Sequence, residues 1–520
     1  MSTGEKDKVL DRRAFLRIVS RPSRLVSLAT NRKFWNITVL MCSCRDKTSI
    51  DMADLALFLN KLGVGEVLQH SELCGLEGRS FLGDVIRSRP SSILVAACMK
   101  QMLFRDMAMQ LDYPAKSLHI LELQELCGWV HRDSEMATEK AKRMIASTLA
   151  RISADEFKQP TTGFSKLATS KALDSTGVRS LYGRLDICPA KDNVCLLCVD
   201  FCPQKAVAHS GGGIVVDRRL CVSCGICGLV CPLELLKLVP QDDQSEELRQ
   251  ILMASRDVTG SEKEEILGHP MIAFVCENEG KTSLLGLGSN RMSYPEGILP
   301  VFVRCLGDVS TGFILKALNW GAQGVVLLGC QECNQDSQGY TASLVGMFRD
   351  ISKETILDGR VHILRSDRGD SERLSRSLKE IYARILEKEK LKIEYDSRTY
   401  EGRRDELLGL LCNLRRNTDL KEKIVPHKIV PIGYVDIETD NCDLCLRCVD
   451  RCPTSALRVK EGILLFDHAR CIGCELCVKA CERKAMRFSL EIRTSNLEKE
   501  ASPVASENPR PHPKVTEAGT

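Results

Sequence analysis

The chain has 520 residues, enough for three or four domains, and its 26 cysteines are too many and too clustered to serve core packing alone. Clustered thiols indicate bound metal in a reducing compartment, so a disulfide lattice is excluded and a cytoplasmic location is expected. The formal net charge is +4, and no basic stretch is interleaved with aromatic residues, so nothing indicates nucleic-acid binding. No apolar run approaches the roughly 18 residues of a membrane-spanning helix, which predicts a soluble protein or one held to a membrane by a partner.

Residues 1–35 begin the chain with the sequence RRAFL at residues 12–16, which is similar to a twin-arginine export motif. Further arginines interrupt the segment that follows, so it never forms an apolar region ending in a small-residue cleavage site. We therefore interpret residues 1–35 as a basic surface arm.

Residues 36–150 alternate short apolar segments with amphipathic ones, in the order NITVLMC, DMADLALFLNKLG, EVLQHSELC, GRSFLGDVIRSR, SSILVAAC, QMLFRDMAMQL and SLHILEL. Alternating strands and helices predict a parallel sheet covered on both faces. Open α/β sheets bind ligands at the carboxyl ends of their strands. The cysteines at or just beyond those ends are Cys42, Cys44, Cys74, Cys98 and Cys127. Simple core packing of these thiols is the alternative.

The segments MCSC, SELCGLEGR, ILVAACMK and QELCGWVHRDSEMATEKAKRMI resemble, in order and spacing, the N-terminal domain of the A-type subunit of heterodisulfide reductase. The resemblance implies an iron–sulphur cluster whose preferred ligands are Cys44, Cys74, Cys98 and Cys127, with Cys42 as the spare thiol. In that family a large flavin-binding domain usually follows. Residues 151–182 instead predict a polar linker without a glycine-rich phosphate loop, so no FAD is expected and a partner would hold any flavin.

Residues 183–240 contain two cysteine runs of the C-x2-C-x2-C-x3-C type found in two-cluster ferredoxins. The complete run is Cys221, Cys224, Cys227 and Cys231. The other run has Cys195, Cys198 and Cys202, but Asp192 stands at its first position. Either Cys188 completes this set, or Asp192 supplies an oxygen, or the cluster lacks one iron. We favour Cys188 because a thiolate is the softer ligand.

A charged linker at 241–267 precedes a second α/β segment at 268–395, in which cysteines again end predicted strands. These thiols are Cys276, Cys305, Cys330 and Cys333. The predicted elements of the segment are the strands MIAFVC and ILPVFVRC, the helix TGFILKALNWGA, the strand GVVLLGC, the helix TASLVGMFRDI, the strand RVHILRS and the helix SERLSRSLKEIYARILEKEK. The stretch FVRCLGDVSTGFILKALNWGAQGVVLLGCQEC is similar to the delta, iron–sulphur subunit of the methyl-viologen-reducing hydrogenase of methanogens, which implies a 2Fe-2S cluster on these four thiols. Glu279 replaces one cysteine of that family, and Cys330 and Cys333 are closer together than its last pair, so a docking domain without a cluster is the alternative.

Residues 396–430 predict a charged helical connector, in which Cys412 lies on an apolar face and serves packing. Residues 431–490 hold two complete cysteine runs and resemble the bacterial two-cluster ferredoxin domain, with Glu482 where proline is usual. The fourth thiol of each run reaches the other cluster, so one 4Fe-4S cluster is expected on Cys442, Cys445, Cys448 and Cys481, and its twin on Cys471, Cys474, Cys477 and Cys452. Zinc is the weaker alternative, because zinc sites pair two C-x2-C knuckles across a longer spacer. Residues 491–520 predict a disordered tail.

The sequence thus predicts a multidomain protein with two α/β parallel-sheet domains and two α+β bacterial-type two-cluster ferredoxin modules. The expected cofactors are four 4Fe-4S clusters, a 2Fe-2S cluster in the middle domain and one more iron–sulphur cluster in the N-terminal domain. The expected function is non-catalytic electron transfer, carrying single electrons between a flavin- or hydrogenase-type partner and a disulfide- or ferredoxin-linked partner. Partner subunits of heterodisulfide reductase, hydrogenase, formate dehydrogenase or flavoprotein type are expected. The alternatives are a reductase with an open-coordination cluster and a redox sensor.

Overall fold

The structure is a computed structural model that describes most of the domains predicted above. The described residues are 34–157, 180–183, 197–210, 213–217, 219–221, 224–231, 236–239, 245–259, 268–333, 338–366, 369–394, 403–420, 422–424, 432–489, 492–498 and 501–506. Within them lie two four-stranded sheets of parallel strands and several pairs of short antiparallel strands. The prediction of two parallel α/β domains is confirmed. None of the described helices is long and apolar enough to cross a membrane.

The N-terminal domain is a parallel sheet with the strand order β2-β1-β3-β4. Its strands are β1 (Phe34–Cys42), β2 (Val64–His70), β3 (Ser92–Ala96) and β4 (Leu118–Leu121). Its helices are α1 (Met52–Leu62), α2 (Leu76–Arg87), α3 (Gln101–Gln110) and α4 (Ser134–Phe157), with a π-helical turn at Gln124–Gly128 before α4. Helix α1 begins where the Asp51 carboxylate accepts the amides of Ala53 and Asp54, and it ends at Gly63 with a φ of 87°.

The first ferredoxin module consists of short strands around two one-turn helices. Its elements are β5 (Ser180–Gly183), α5 (Leu197–Asp200), β6 (Val207–Ser210), β7 (Gly213–Val216), α6 (Ile226–Val230) and β8 (Leu236–Val239). Strand β5 pairs with β8 and β6 pairs with β7, both antiparallel. The predicted charged linker after this module contains helix α7 (Ser245–Thr259), which buries Leu248, Ile251 and Leu252. These positions form one helical face that packs on α4, where Arg143 donates a hydrogen bond of 2.7 Å to the Leu252 carbonyl.

The middle domain repeats the strand arrangement of the N-terminal one, in the order β10-β9-β11-β12. Its strands are β9 (Met271–Cys276), β10 (Ile298–Val303), β11 (Gly324–Cys330) and β12 (Val361–Ser366). Its helices are α8 (Glu279–Ser289), α9 (Thr311–Asn319), α10 (Gln338–Ser352) and α11 (Ser371–Leu386). Helix α8 lies between β9 and β10, where the sequence pattern predicts no helix. It packs on the π-helical turn of the N-terminal domain, where Gly288 lies against the backbone of Glu125.

The C-terminal part starts with helix α12 (Arg403–Asn417), which packs on α9 through a hydrogen bond of 2.8 Å between Asn413 and Asn319. The remaining elements are β13 (Lys423–Ile424), β14 (Val435–Ile437), α13 (Arg447–Asp450), β15 (Leu457–Lys460), β16 (Ile463–Phe466), α14 (Leu476–Ala480), β17 (Met486–Phe488), β18 (Ile492–Arg493) and β19 (Ser502–Ser506). Cys412 is buried on α12, as the packing interpretation predicts.

The predicted disordered tail is wrong for part of its length. Strand β19 pairs with β16 and turns the β15–β16 hairpin into a three-stranded sheet, and β18 pairs with β13. The open edge of β16 supplies backbone hydrogen-bond partners that do not depend on side-chain composition, which is why a Pro- and Ser-containing segment is accepted there. Residues 507–520 lie outside the described residues.

Candidate metal centres

The C-terminal module brings its cysteines together in two groups. A cavity is lined by the four thiols expected for one cluster, namely Cys442, Cys445, Cys448 and Cys481. Helix α13, which follows Leu446 in the left-handed region (φ 60°), supplies Cys448 to this cavity. Burial, together with the charges of the neighbouring Cys442 and Cys445, raises the pKa of Cys448 to about 11. The fourth thiol of the second run therefore lies with the first three of the first run.

The second group in this module is Cys452, Cys471, Cys474 and Cys477. Burial raises the pKa of Cys477, and the other three thiols of the group add to that effect. Burial likewise raises the pKa of Cys471 to about 11, although the Gly473 amide donates to its sulphur and lowers the pKa. Crowded buried thiols resist ionisation until a cation is bound, so this pocket favours a positively charged metal cluster over four free thiolates.

The first ferredoxin module repeats this local arrangement. Its Cys227 has a raised pKa because of burial and because of the nearby thiols Cys224, Cys202, Cys221 and Cys198. The Ala206 amide donates to Cys202 Sγ at 3.2 Å, and in the C-terminal module the Ala456 amide donates to Cys452 Sγ at the same distance. Cys231 lies at the end of α6. Cys188, Cys195 and Asp192 lie outside the described residues.

The middle-domain thiols lie at the carboxyl edge of the sheet. Cys276 Sγ and Cys330 Sγ, at the ends of the adjacent strands β9 and β11, are 3.2 Å apart. A shared hydrogen bond lowers the pKa of Cys276 and raises that of Cys330. Cys305 accepts the Gly307 amide at 3.4 Å, and Cys333 contributes to the electrostatic field at Cys276. Glu279 accepts the Gln331 amide at 3.1 Å.

The N-terminal domain gathers a different set of thiols from the one expected. Cys42 Sγ lies 3.7 Å from Cys44 Sγ. Cys44 also shares a hydrogen bond with Cys98, and the pKa of Cys74 is raised by burial and by the charges of Cys98 and Cys42. Cys42, expected from the sequence to be the spare thiol, thus lies beside Cys44 in this group.

Cys127 lies apart from this group. It packs in the core on the α4 side of the sheet, whereas Cys42 belongs to the core on the other side. Burial raises the pKa of Cys127 to about 12, and its charged neighbour is the ammonium of Lys140, which lowers the pKa. Cys127 lies in the π-helical turn after β4 and is fully buried.

The donor chemistry fits iron–sulphur clusters. Each group consists of soft thiol donors with backbone amides directed at several of the sulphurs, which is the environment such clusters use. Within the described part of the chain, no three His, Cys, Asp or Glu side chains are placed to hold one metal ion directly. The cysteine spacing therefore carries the assignment of the cluster type.

The first ferredoxin module touches the middle domain directly through a cysteine loop, and the C-terminal module touches helix α12, which packs on α9 of the middle domain. A Cβ built on Gly307, two residues after Cys305, would lie 3.2 Å from the carbonyl oxygen of Cys224. In the C-terminal module, the Arg404 guanidinium of α12 donates to the Ala469 and Cys471 carbonyls at 2.6 and 2.8 Å. One cluster loop of the first module is therefore in direct contact with the middle domain, and one cluster loop of the C-terminal module is connected to it through α12.

Two segments of the chain match models of known protein families. Residues 271–387 match the methyl-viologen-reducing hydrogenase, delta subunit. Residues 434–482 match the 4Fe-4S dicluster domain. The resemblances found in these two segments from the sequence are confirmed.

Curated relatives support the same assignment. The chain is 27% identical to the A-type subunit of the Ferredoxin:CoB-CoM heterodisulfide reductase of Methanosarcina mazei over 203 residues, which are 34% of this chain and 25% of the relative. It is 21% identical to an A-type iron-sulfur subunit of the CoB--CoM heterodisulfide reductase of Methanopyrus kandleri, over 38% of each chain. It is 36% identical to the D-type iron-sulfur subunit of the F420-non-reducing hydrogenase vhc of Methanococcus voltae over 74 residues, which are 14% of this chain and 50% of the relative. The chain thus spans at most half of the length of these relatives.

Proposed function

We propose that this chain is an iron–sulphur electron-transfer subunit of a heterodisulfide reductase- or hydrogenase-type complex. It relays single electrons between a flavin- or hydrogenase-type partner and a disulfide- or ferredoxin-linked partner. The grouped thiols and the matches to a 4Fe-4S dicluster domain and to a hydrogenase delta subunit support this function.

The proposed cofactors are four 4Fe-4S clusters in the two ferredoxin modules, a 2Fe-2S cluster in the middle domain and one further cluster in the N-terminal domain. The middle-domain ligands are Cys276, Cys305, Cys330 and Cys333. For the N-terminal cluster we propose Cys42, Cys44, Cys74 and Cys98, because these four thiols interact with one another whereas Cys127 interacts with Lys140. Cys188 remains the proposed ligand beside Cys195, Cys198 and Cys231 in the first module.

The contacts that connect the two modules to the middle domain support the proposal of a relay. Gly307 brings the Cys305 loop against Cys224, and helix α12, which packs on α9, binds the carbonyl of Cys471 through Arg404. An electron moving between the two ferredoxin modules would therefore cross or skirt the middle domain through packed protein and not through solvent.

The surroundings of the cysteine sulphurs would influence the reduction potentials of the clusters in such a relay. When bound, iron–sulphur clusters take up and release one electron at a time, at potentials set by hydrogen bonds to sulphur, burial and charge. The Ala206 and Ala456 amides donate to Cys202 and Cys452, which stabilises added negative charge on those thiolates. Cys202, Cys227 and Cys477 are buried, which keeps water and oxidants away from their sulphurs.

The test is the iron, acid-labile sulphide and flavin content of the chain purified without oxygen, with EPR of the dithionite-reduced sample. Four cubanes contain about sixteen iron atoms, so clusters in both α/β domains should raise the iron content well above that number. Cys448→Ser should lower the iron content by about four atoms. The matched control Cys412→Ser, which replaces a buried thiol on α12, should leave it unchanged. Stoichiometric flavin, or equal iron content in both variants, would contradict the proposal.

A further inference from the structure

A positively charged side chain lies at the cysteine edge of the middle-domain sheet. Arg365 of β12 pairs in register with Gly329 of β11, the residue before Cys330. Paired residues on adjacent strands present their side chains to the same face of the sheet. Gly329 has no side chain, and a Cβ built there would lie only 2.9 Å from Arg365 Nη1. The guanidinium therefore reaches across the bare backbone at Gly329.

This guanidinium has an unused donor. Arg365 Nη1 is shielded from solvent and has no hydrogen-bond partner among the described residues. A buried charged donor without an acceptor is unfavourable, so native structures supply an acceptor. Sulphur atoms of a bound cluster would be such acceptors.

The cysteines of the middle domain surround the same group. Burial lowers the pKa of Arg365, and the negative charges of four thiols oppose that effect. Those four are Cys333, Cys330, Cys276 and Cys305. They are the complete set of proposed ligands, and Leu306, the neighbour of Cys305, also contacts the space over Gly329.

We propose that Arg365 is a positioning residue that donates from Nη1 to a sulphur of the middle-domain cluster and raises its reduction potential. This inference rests on the proposed function, because it requires the middle-domain cluster. Reduction adds one electron and no proton at this site, since arginine stays protonated throughout the accessible pH range. A fixed positive charge and an N–H donor at sulphur stabilise the reduced, more negative state.

The experiment is an EPR-monitored redox titration of the full-length chain, purified without oxygen, together with its iron content. Cys330→Ala identifies the middle-domain signal in the parent spectrum by removing it. Arg365→Gln and Arg365→Met remove the charge, and Arg365→Lys keeps it. Arg373→Gln is the matched control, because Arg373 is an exposed arginine on the nearby helix α11.

The Gln and Met variants should shift the midpoint of the middle-domain signal to more negative potential, while Arg365→Lys stays closer to the parent and Arg373→Gln matches it. Loss of this signal from the Gln and Met variants with its retention in Arg365→Lys would also support the role of the charge. An unchanged midpoint in Arg365→Met at parental iron content would overturn the inference. Loss of the signal from all three variants, lysine included, would overturn it as well, since side-chain shape and not charge would then hold the site. A parent protein without any signal sensitive to Cys330→Ala would instead refute the middle-domain cluster itself.

Discussion

At Gly433 a single added methyl group would collide with the backbone of a cysteine-bearing loop. Gly433 precedes β14, and its amide donates to the Cys471 carbonyl at 3.1 Å. A Cβ at Gly433 would lie 2.2 Å from the Cα and 2.4 Å from the amide nitrogen of Gly473, and 3.1 Å from Cys471 Sγ. The closest of these are backbone atoms, so no rotamer change relieves the overlap and the loop carrying Cys471 and Cys474 must move.

Overpacking of this kind costs about 1–3 kcal/mol, and the backbone clash places Gly433→Ala near the upper end. A local destabilisation of about 3 kcal/mol corresponds to roughly a 100-fold increase in local opening, because each 1.36 kcal/mol is a factor of ten. We therefore expect about 100-fold faster loss of one cluster to a ferrous-iron chelator, affecting about four iron atoms per chain.

The assay follows the visible absorption of the anaerobic protein after the chelator is added, with total iron measured before and after. The matched control is Gly346→Ala in α10, where a Cβ would meet no atom within 4 Å. Alanine in that helix should leave cluster loss unchanged and add up to about 1 kcal/mol of stability. Parental cluster-loss kinetics in Gly433→Ala would refute the reasoning, because the two glycine loops could then separate without disturbing Cys471.

Two further predictions concern the buried charges between domains. Arg143→Met leaves the buried Glu139 carboxylate without the guanidinium that it binds at 2.9 Å. Chemical denaturation should therefore show a free energy of unfolding lower by about 3–5 kcal/mol. Parental stability of this variant would contradict the prediction. Burial lowers the pKa of His131 to about 4, and hydrogen bonding to His131 lowers that of Glu296 to about 2. The unfolded chain therefore binds more protons than the folded one over this range, so stability should fall as pH drops from about 6.5 towards 4 and, through Glu296, further below 4.5. Thermal unfolding across that range should show this dependence, and it should be weaker above pH 4.5 in His131→Gln; an equal pH dependence in the variant would count against the assignment.

The cysteine spacing alone predicted much of the ferredoxin chemistry. A C-x2-C-x2-C-x3-C run determines locally which thiols can hold one cubane, since three ligands lie within one short loop. The exchange of the fourth ligand between runs also follows from the spacing, and the structure places Cys481 with the Cys442 run accordingly. Alternating apolar and amphipathic segments likewise predicted both parallel sheets, because side-chain periodicity is a local property.

Helix α8 shows why local pattern was insufficient elsewhere. Its glycines lower its intrinsic helix propensity, so the sequence did not indicate a helix there. One of them, Gly288, is required by the tertiary structure, because a Cβ there would lie 2.2 Å from the Glu125 carbonyl oxygen of the N-terminal domain. Helix α8 thus forms in contact with the N-terminal domain, although its glycines have low intrinsic helix propensity.

The sequence by itself determined which residue types carry the chemistry and the order of the domains that hold them. Only the tertiary structure decided which scattered thiols meet, because their grouping depends on strand order and on the face to which each residue points. It brings Cys98 beside Cys44, places Cys127 near Lys140, and sets Arg365 over Gly329. These choices join residues that are distant in sequence, and no local periodicity records them.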